Sequence, residues 1–361
     1  MSLACHFRCL SAQAFEILLL FSWLSCGILN GCKNGGVAPP EVTTLDTTSH
    51  TFIWKVDTLG DGNASVLYDV AIVNDTLAYA VGEIYLKDST GQIDQQPYNL
   101  MQWNGTRWNF TRIALQLYNS DCSVAGTYFG RTVAIIAFSD GNVIFSDGGD
   151  VIKMNGTIYS HLACSNPVRN GAFTKFWGLS VDDFYAVGYT GTIVHYSSGN
   201  WQKLESGTNL PILDIWGAVN SVGELEILAL ASNGFTPPAV KQVLQIRGAA
   251  VDRVNDAGLA NILSTVWFVP SQRYFIGGDG LFTNATIGPS WQPISYPSYY
   301  TYRIRGVYAN DIVVAGGNGF LSHYNGVGWH HYALAGELPM FTGNYYAVAI
   351  SKRIVVAVGG V

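Results

Sequence analysis

The sequence predicts an all-β protein, a β-propeller of seven four-stranded blades closed by an amino-terminal strand in the last blade. Three observations predict it. A short apolar run recurs through the chain, starting at Leu77, Asn142, Asp183, Glu226, Arg273, Asp311 and Arg353, with spacings of 65, 41, 43, 47, 38 and 42 residues. Two apolar runs flanking Asn-Gly, Ser-Gly or Arg-Gly follow most of these, the signature of a tight β-hairpin. No stretch sustains a 3.6-residue apolar period, so helix is minor. Four strands every 40–45 residues is the period of propeller blades.

The amino end reads differently. Residues 17–24 are ILLLFSWL, and the apolar stretch from Ile17 to Leu29 is short of the roughly 20 residues a bilayer span needs, which suits a signal peptide. It ends in Leu29-Asn30-Gly31-Cys32, similar to the bacterial lipobox, in which the cysteine takes the lipid. The expectation is a signal with lipobox over 1–31, a flexible tether over 32–50 rich in Gly, Pro and Thr, and a single propeller domain over 51–361.

Residues 51–56, TFIWKV, read as an outer strand d, because Trp54 stands 16 residues before Val70 as Trp201 stands 15 before Trp216. Within each repeat the strands are named a to d. Strand a carries Phe176-Trp177-Gly178, Ile215-Trp216-Gly217 or Val266-Trp267; strand b is the apolar run; strand c precedes the Gly turn; strand d starts near a Trp. At the carboxyl end, Tyr345-AVAI and Arg353-IVVAVGG read as strands a and b, and the expected strand c of that blade is missing. The closing argument therefore places 51–56 in the last blade, which would leave no open sheet edge.

Composition excludes several function classes. Only 12% of the residues are charged, the net charge is −6, and no Lys/Arg cluster occurs, which argues against a nucleic-acid surface. Of six cysteines, Cys5, Cys9 and Cys26 precede the lipobox and Cys32 ends it, leaving Cys122 and Cys164 as an expected disulfide in an oxidising compartment.

The unit from Trp177-Gly178 through Asp182-Asp183-Phe-Tyr-Ala-Val-Gly188 and Gly191-Thr-Ile-Val-His-Tyr196 to Gly199-Asn-Trp201 resembles the exported propeller repeats of Bacteroidetes-type and myxobacterial lipoproteins. The resemblance covers about 51–361. It implies an outer-membrane-anchored lipoprotein, periplasmic or at the cell surface, and members of the group sometimes carry a glucosyltransferase label. The motifs behind it specify blades and not chemistry.

Enzyme signatures are missing from the sequence. There is no Gly-x-Ser-x-Gly elbow, phosphate loop, dinucleotide fingerprint, Asp-x-Asp or aspartate box. The repeated Trp positions and the shared position of His195 and His323 read as blade packing. Asp147 and Asp150 in SDGGD, and Asp57, Asp61 and Asn63 in DTLGDGN, read as turn chemistry over calcium ligation. No cofactor and no metal are expected. Six Asn-x-Ser/Thr sequons read as incidental in a bacterial host.

In a four-stranded meander the b–c loops and d–a crossovers share one edge. The length variation falls there: the 82–99 insertion, the 233–240 loop and the 296–302 crossover. Long loops on a rigid scaffold are where function concentrates. The sequence reading is a non-enzymatic recognition face for a protein or glycan, with Tyr299, Tyr300, Tyr302, Tyr98 and Phe235 as ligand-binding candidates. Nucleic acid is not expected, and a membrane only through the lipid anchor. The alternative is a glycan-active enzyme, for which Asp88, Asp94, Asp147 and Asp279 are the candidate carboxylates.

Overall fold

A computed structural model describes residues 2–8 as backbone and residues 47–62, 64–139, 141–162 and 172–361 in full. Every regular element among them is a strand. Six blades, not the expected seven, are contiguous meanders of four consecutive strands, over residues 66–111, 134–161, 173–204, 212–254, 263–293 and 301–331, numbered blades 1 to 6 here. A further four-stranded sheet is assembled from both ends of the chain. Its inner strands are Asn344–Ile350 and Val355–Gly360, and its outermost is Ile53–Leu59.

That closing sheet places 53–59 at the outer edge, where the ring-closure argument expects it, but corrects the expected gap. The position of strand c is filled by Ser2–Arg8, which pairs antiparallel with Ile53–Leu59 on one side and with Val355–Gly360 on the other. These residues fall in the segment read as a signal peptide. The last of the tether is also docked: Thr48 bonds through its amide to the carbonyl of Asn325 at 3.2 Å and through its hydroxyl to that of Asn310 at 2.7 Å. Cys32 lies outside the described residues, as does the rest of the tether up to residue 46.

The first strand of each sheet touches the first strand of the next around the whole ring, so strands a line a central channel. Strand b is buried along nearly its whole length, as in Leu77–Ile84 and Val355–Gly360. Both of its faces pack against neighbouring blades, which is why its sequence is continuously apolar and not alternating. Strand d alternates toward solvent, as in Ile158–His161. One apolar cluster fills each inter-blade gap; Leu67, Ala80 and Met101 of blade 1, for example, meet Val356 and Val358 of the closing sheet.

The Trp-Gly repeat is explained by this packing. A Cβ on Gly217 would come within 2.7 Å of the Trp177 ring, and one on Gly306 within 2.6 Å of Trp267. Each glycine is the flat seat for the preceding blade's tryptophan. The repeated histidine is structural in the same sense: His195 Nε2 lies 2.7 Å from Asp183 and His323 Nε2 lies 2.9 Å from Asp311, each aspartate opening its blade's strand b. The tight turns after strand c include the two-residue turn at Ser198-Gly199, but Asn104 and Asn325 head four-residue turns. There the side-chain oxygen of the Asn accepts amides two and three residues on, so the Asx interaction replaces the two-residue hairpin.

Candidate functional site

Six of the seven innermost strands share an irregularity near their amino ends. Pairing with strand b skips one residue between Leu67 and Asp69, Phe173 and Lys175, Ile212 and Asp214, Leu263 and Thr265, Thr301 and Arg303, and Tyr345 and Ala347. A β-bulge leaves the skipped residue out of the ladder and re-aims it. The skipped residues are Tyr68, Thr174, Leu213, Ser264, Tyr302 and Tyr346, and all six line one cavity of about 820 Å³. Arg131, Asp147, Tyr189, Tyr300 and Arg303 also line it. The cavity is thus the mouth of the channel, on the edge that carries the b–c loops and d–a crossovers.

Its rim holds a continuous arc of rings. Centroid separations are 5.3 Å for Phe235–Tyr300, 4.7 Å for Tyr300–Tyr302, 5.1 Å for Tyr302–Tyr346 and 6.2 Å for Tyr346–Tyr68. The Arg131 guanidinium ends the arc 5.9 Å from the Tyr68 ring. Tyr68 donates to Glu83 at 2.8 Å. Burial, then Glu83, pushes its phenol up to about 12, and burial raises Tyr300 and Tyr302 as well. All three phenols are neutral donors at physiological pH.

One layer deeper, the residues that follow the bulges form an ionic plug. Lys175 Nζ lies 2.6 and 2.5 Å from the two Asp69 oxygens, across 106 residues of sequence. Arg305 makes a bidentate pair with Asp214 at 2.8 and 3.1 Å, and Arg303 Nη1 approaches Asp214 Oδ1 at 2.6 Å. Asp214 also accepts the Thr265 hydroxyl at 2.8 Å and the Val266 amide at 3.0 Å. Burial alone would raise the Asp214 carboxyl; Arg303, Arg305 and Lys175 more than offset this and hold it well below the usual range. Desolvation lowers Lys175 to about 8 despite Asp69, with Arg303 and Arg305 adding repulsion. Below the plug a second, smaller cavity of about 260 Å³ is lined by Lys175, Trp177, Trp216 and Arg305 among apolar residues.

The sequence-predicted residues divide. Tyr300, Tyr302 and Phe235 come together on the arc. Tyr299 instead stacks on Phe320 at 4.6 Å, and Tyr98 packs in blade 1 against Phe110 with the Arg112 guanidinium 4.1 Å from its ring. Of the four candidate carboxylates, Asp147 alone lines the cavity. It accepts the Tyr128 hydroxyl and the amides of Gly149 at 2.8 Å and Asp150 at 2.6 Å. Asp88 caps its own turn, Asp94 pairs with Arg112 at 2.5 Å, and the charge of Asp279 adds to the upward shift of the Tyr300 phenol. Among the described residues no group of three or more His, Cys, Asp or Glu is arranged to hold a metal. Cys122 is disulfide-bonded, at the tip of a hairpin, Leu115–Tyr118 and Val124–Tyr128, between blades 1 and 2. Its expected partner Cys164 lies outside the described residues.

Arg303, Arg131, Tyr68, Tyr346 and the plug escape sequence reasoning. A signal for most of them exists: aligned on the bulge, the strand a starts read YDVA, TKFW, LDIW, STVW, YRIR and YAVA, with a charged or polar residue before the apolar step in five of the six.

No family model matches the chain, and no curated protein matches it. Solved structures do match in fold. A structure of YCF48 bound to D1 peptide is 15% identical with a TM-score of 0.57, covering 82% of this chain and 93% of that one. The WD40 propeller domain of Doa1 is 14% identical with a TM-score of 0.53, covering 83% and 95%. Streptogramin B lyase is 11% identical with a TM-score of 0.52, covering 81% and 93%. These likenesses show that the chain has a β-propeller fold.

Proposed function

We propose that this protein is a non-catalytic recognition propeller that holds a protein segment at the channel mouth on its loop-bearing edge. The observation that carries this is the arc from Phe235 to Tyr68 around a cavity of about 820 Å³. Rigid aromatic rings around a preformed concavity provide contact area at low entropic cost. A propeller of the same fold is seen with a peptide, which supports a protein partner. The test is a photo-crosslinking side chain introduced at Tyr302, with Tyr308 on the opposite edge as control. Adducts at 302 and none at 308 are expected; equal capture at both would refute the reading.

Location belongs to the same proposal. The Leu29–Cys32 motif supports a lipid-anchored, exported protein of the bacterial repeat group, and the disulfide at Cys122 supports an oxidising compartment. Pairing of Cys122 with Cys164 is part of this reading. Cleavage before Cys32 would remove Ser2–Arg8 from between Ile53–Leu59 and Val355–Gly360, so lipidation and the closed sheet exclude one another in a single molecule.

A further inference from the structure

We infer that the cavity floor is a carboxylate-binding site, so that the segment held at the channel mouth is acidic; this deepens the recognition reading and rests on it. The first argument is charge. At the level of the plug, three cations (Lys175, Arg303 and Arg305) face two carboxylates, Asp69 and Asp214, all of them buried. One positive charge is therefore uncompensated in the interior, where an unpaired ion is costly. Among the lining residues the balance has the same sign: Arg131 and Arg303 against Asp147, whose oxygens already accept Tyr128 and two amides.

The second argument is geometric and independent. Arg303 is only 9% exposed, yet its buried Nε and Nη1 make no hydrogen bond. Nη1 is close to Asp214 Oδ1 at 2.6 Å, but the approach is off the N–H direction, so the contact is ionic without being a hydrogen bond. Buried guanidinium donors left open are rare, because each forfeits its bond to water. Arg303 is also the member of the plug that lines the cavity. A carboxylate in the cavity would meet the part of Arg303 that lines it and neutralise the excess charge. The neutral phenols of Tyr300 and Tyr302 stand at the rim as further donors, and their faces cover the apolar part of a side chain.

The carboxylate could be borne by a peptide or by a small free acid, and the volume favours a peptide. The probes are a fluorescein-labelled hexapeptide alternating Glu and Tyr, its Gln-Tyr counterpart, and free glutarate as competitor, read by anisotropy with the full chain. The Glu peptide should bind at least about tenfold tighter than the Gln peptide, the smallest loss expected for a charge-assisted hydrogen bond. Arg303→Met should remove most of that preference, with the remainder carried by Arg131, while leaving weak binding of both peptides. Arg131→Gln, at an exposed position, should weaken the Glu peptide alone without threatening the fold. Equal affinity for the two peptides, or no binding of either, overturns the carboxylate site; crosslinking at Tyr302 in the same preparation would still uphold the recognition reading. Glutarate binding as tightly as the Glu peptide keeps the carboxylate site and overturns the peptide as its source.

Discussion

Neutralising Asp214 tests whether the ionic plug holds the ring together. The carboxylate is 0% exposed and receives two hydrogen bonds from Arg305, one from Thr265, one from the Val266 amide and the ionic approach of Arg303. In Asp214→Asn the remaining carbonyl oxygen can keep Thr265 and Val266, but an NH₂ group then faces Arg305. Three buried cations are left with Asp69 alone. Breaking a buried pair in this way costs about 3–5 kcal/mol. With an unfolding entropy of about 2.1 cal/mol/K per residue, a domain of this size has roughly 0.65 kcal/mol/K, so Tm should fall by about 5–8 °C. The assay is calorimetry, with Asp214→Asn/Arg305→Met as second arm. Removing one cation restores part of the balance, so the double variant should recover at least about 1 kcal/mol relative to the sum of the single effects. The pH dependence has a defined sign. Because the folded carboxyl is held below its ordinary value of 3.8, its contribution is full above that value and is lost as pH falls through the lower folded value. The acid limb of Asp214→Asn should be flatter than that of the wild type. A Tm drop under about 2 °C, or strict additivity, would refute the plug as a stabilising network.

Four further outcomes are expected. Lys175 is lowered from 10.5 to about 8, so the unfolded chain holds that proton longer and wild-type stability should rise between these values; Lys175→Met should lose that rise in alkaline denaturation curves, and parallel curves would contradict it. In the unprocessed chain, made without an export pathway, deleting residues 2–8 should expose alternate amides of Val355–Gly360 to hydrogen exchange as in an edge strand, and unchanged protection would show that the pairing with Ser2–Arg8 is not formed in solution. Cys122 and Cys164 enclose 41 residues, so Cys164→Ser should cost about 3–4 kcal/mol by the chain-entropy model, with peptide mapping of the intact protein as the direct check. A palmitate analogue should label the wild type and not Cys32→Ser; equal labelling would end the lipoprotein reading.

Local sequence determines most of the blade and little of the site. The apolar runs of strand b, the Gly turns and the Trp-Gly seats are legible because each is a short-range pattern repeated at a fixed period, and the period follows from blade packing. The outer closing strand at 53–59 is legible for the same reason, through its Trp spacing. Tyr300 and Tyr302 are legible as part of a long aromatic crossover, whereas Tyr299, their neighbour, turns to Phe320; the bulge between Thr301 and Arg303 aims Tyr302 at the cavity.

Tertiary structure decided the rest. Strand pairing is made by backbone groups that every residue carries, so no side-chain pattern announces that Ser2–Arg8 completes a sheet formed more than 300 residues away. The bulges that aim Tyr68, Tyr302 and Tyr346 inward are one-residue slips of register, invisible without the partner strand. Lys175 meets Asp69 across 106 residues and Arg305 meets Asp214 across 91. Their shared place on strand a is in the sequence, but only ring closure brings the innermost strands face to face and turns five scattered charges into one plug.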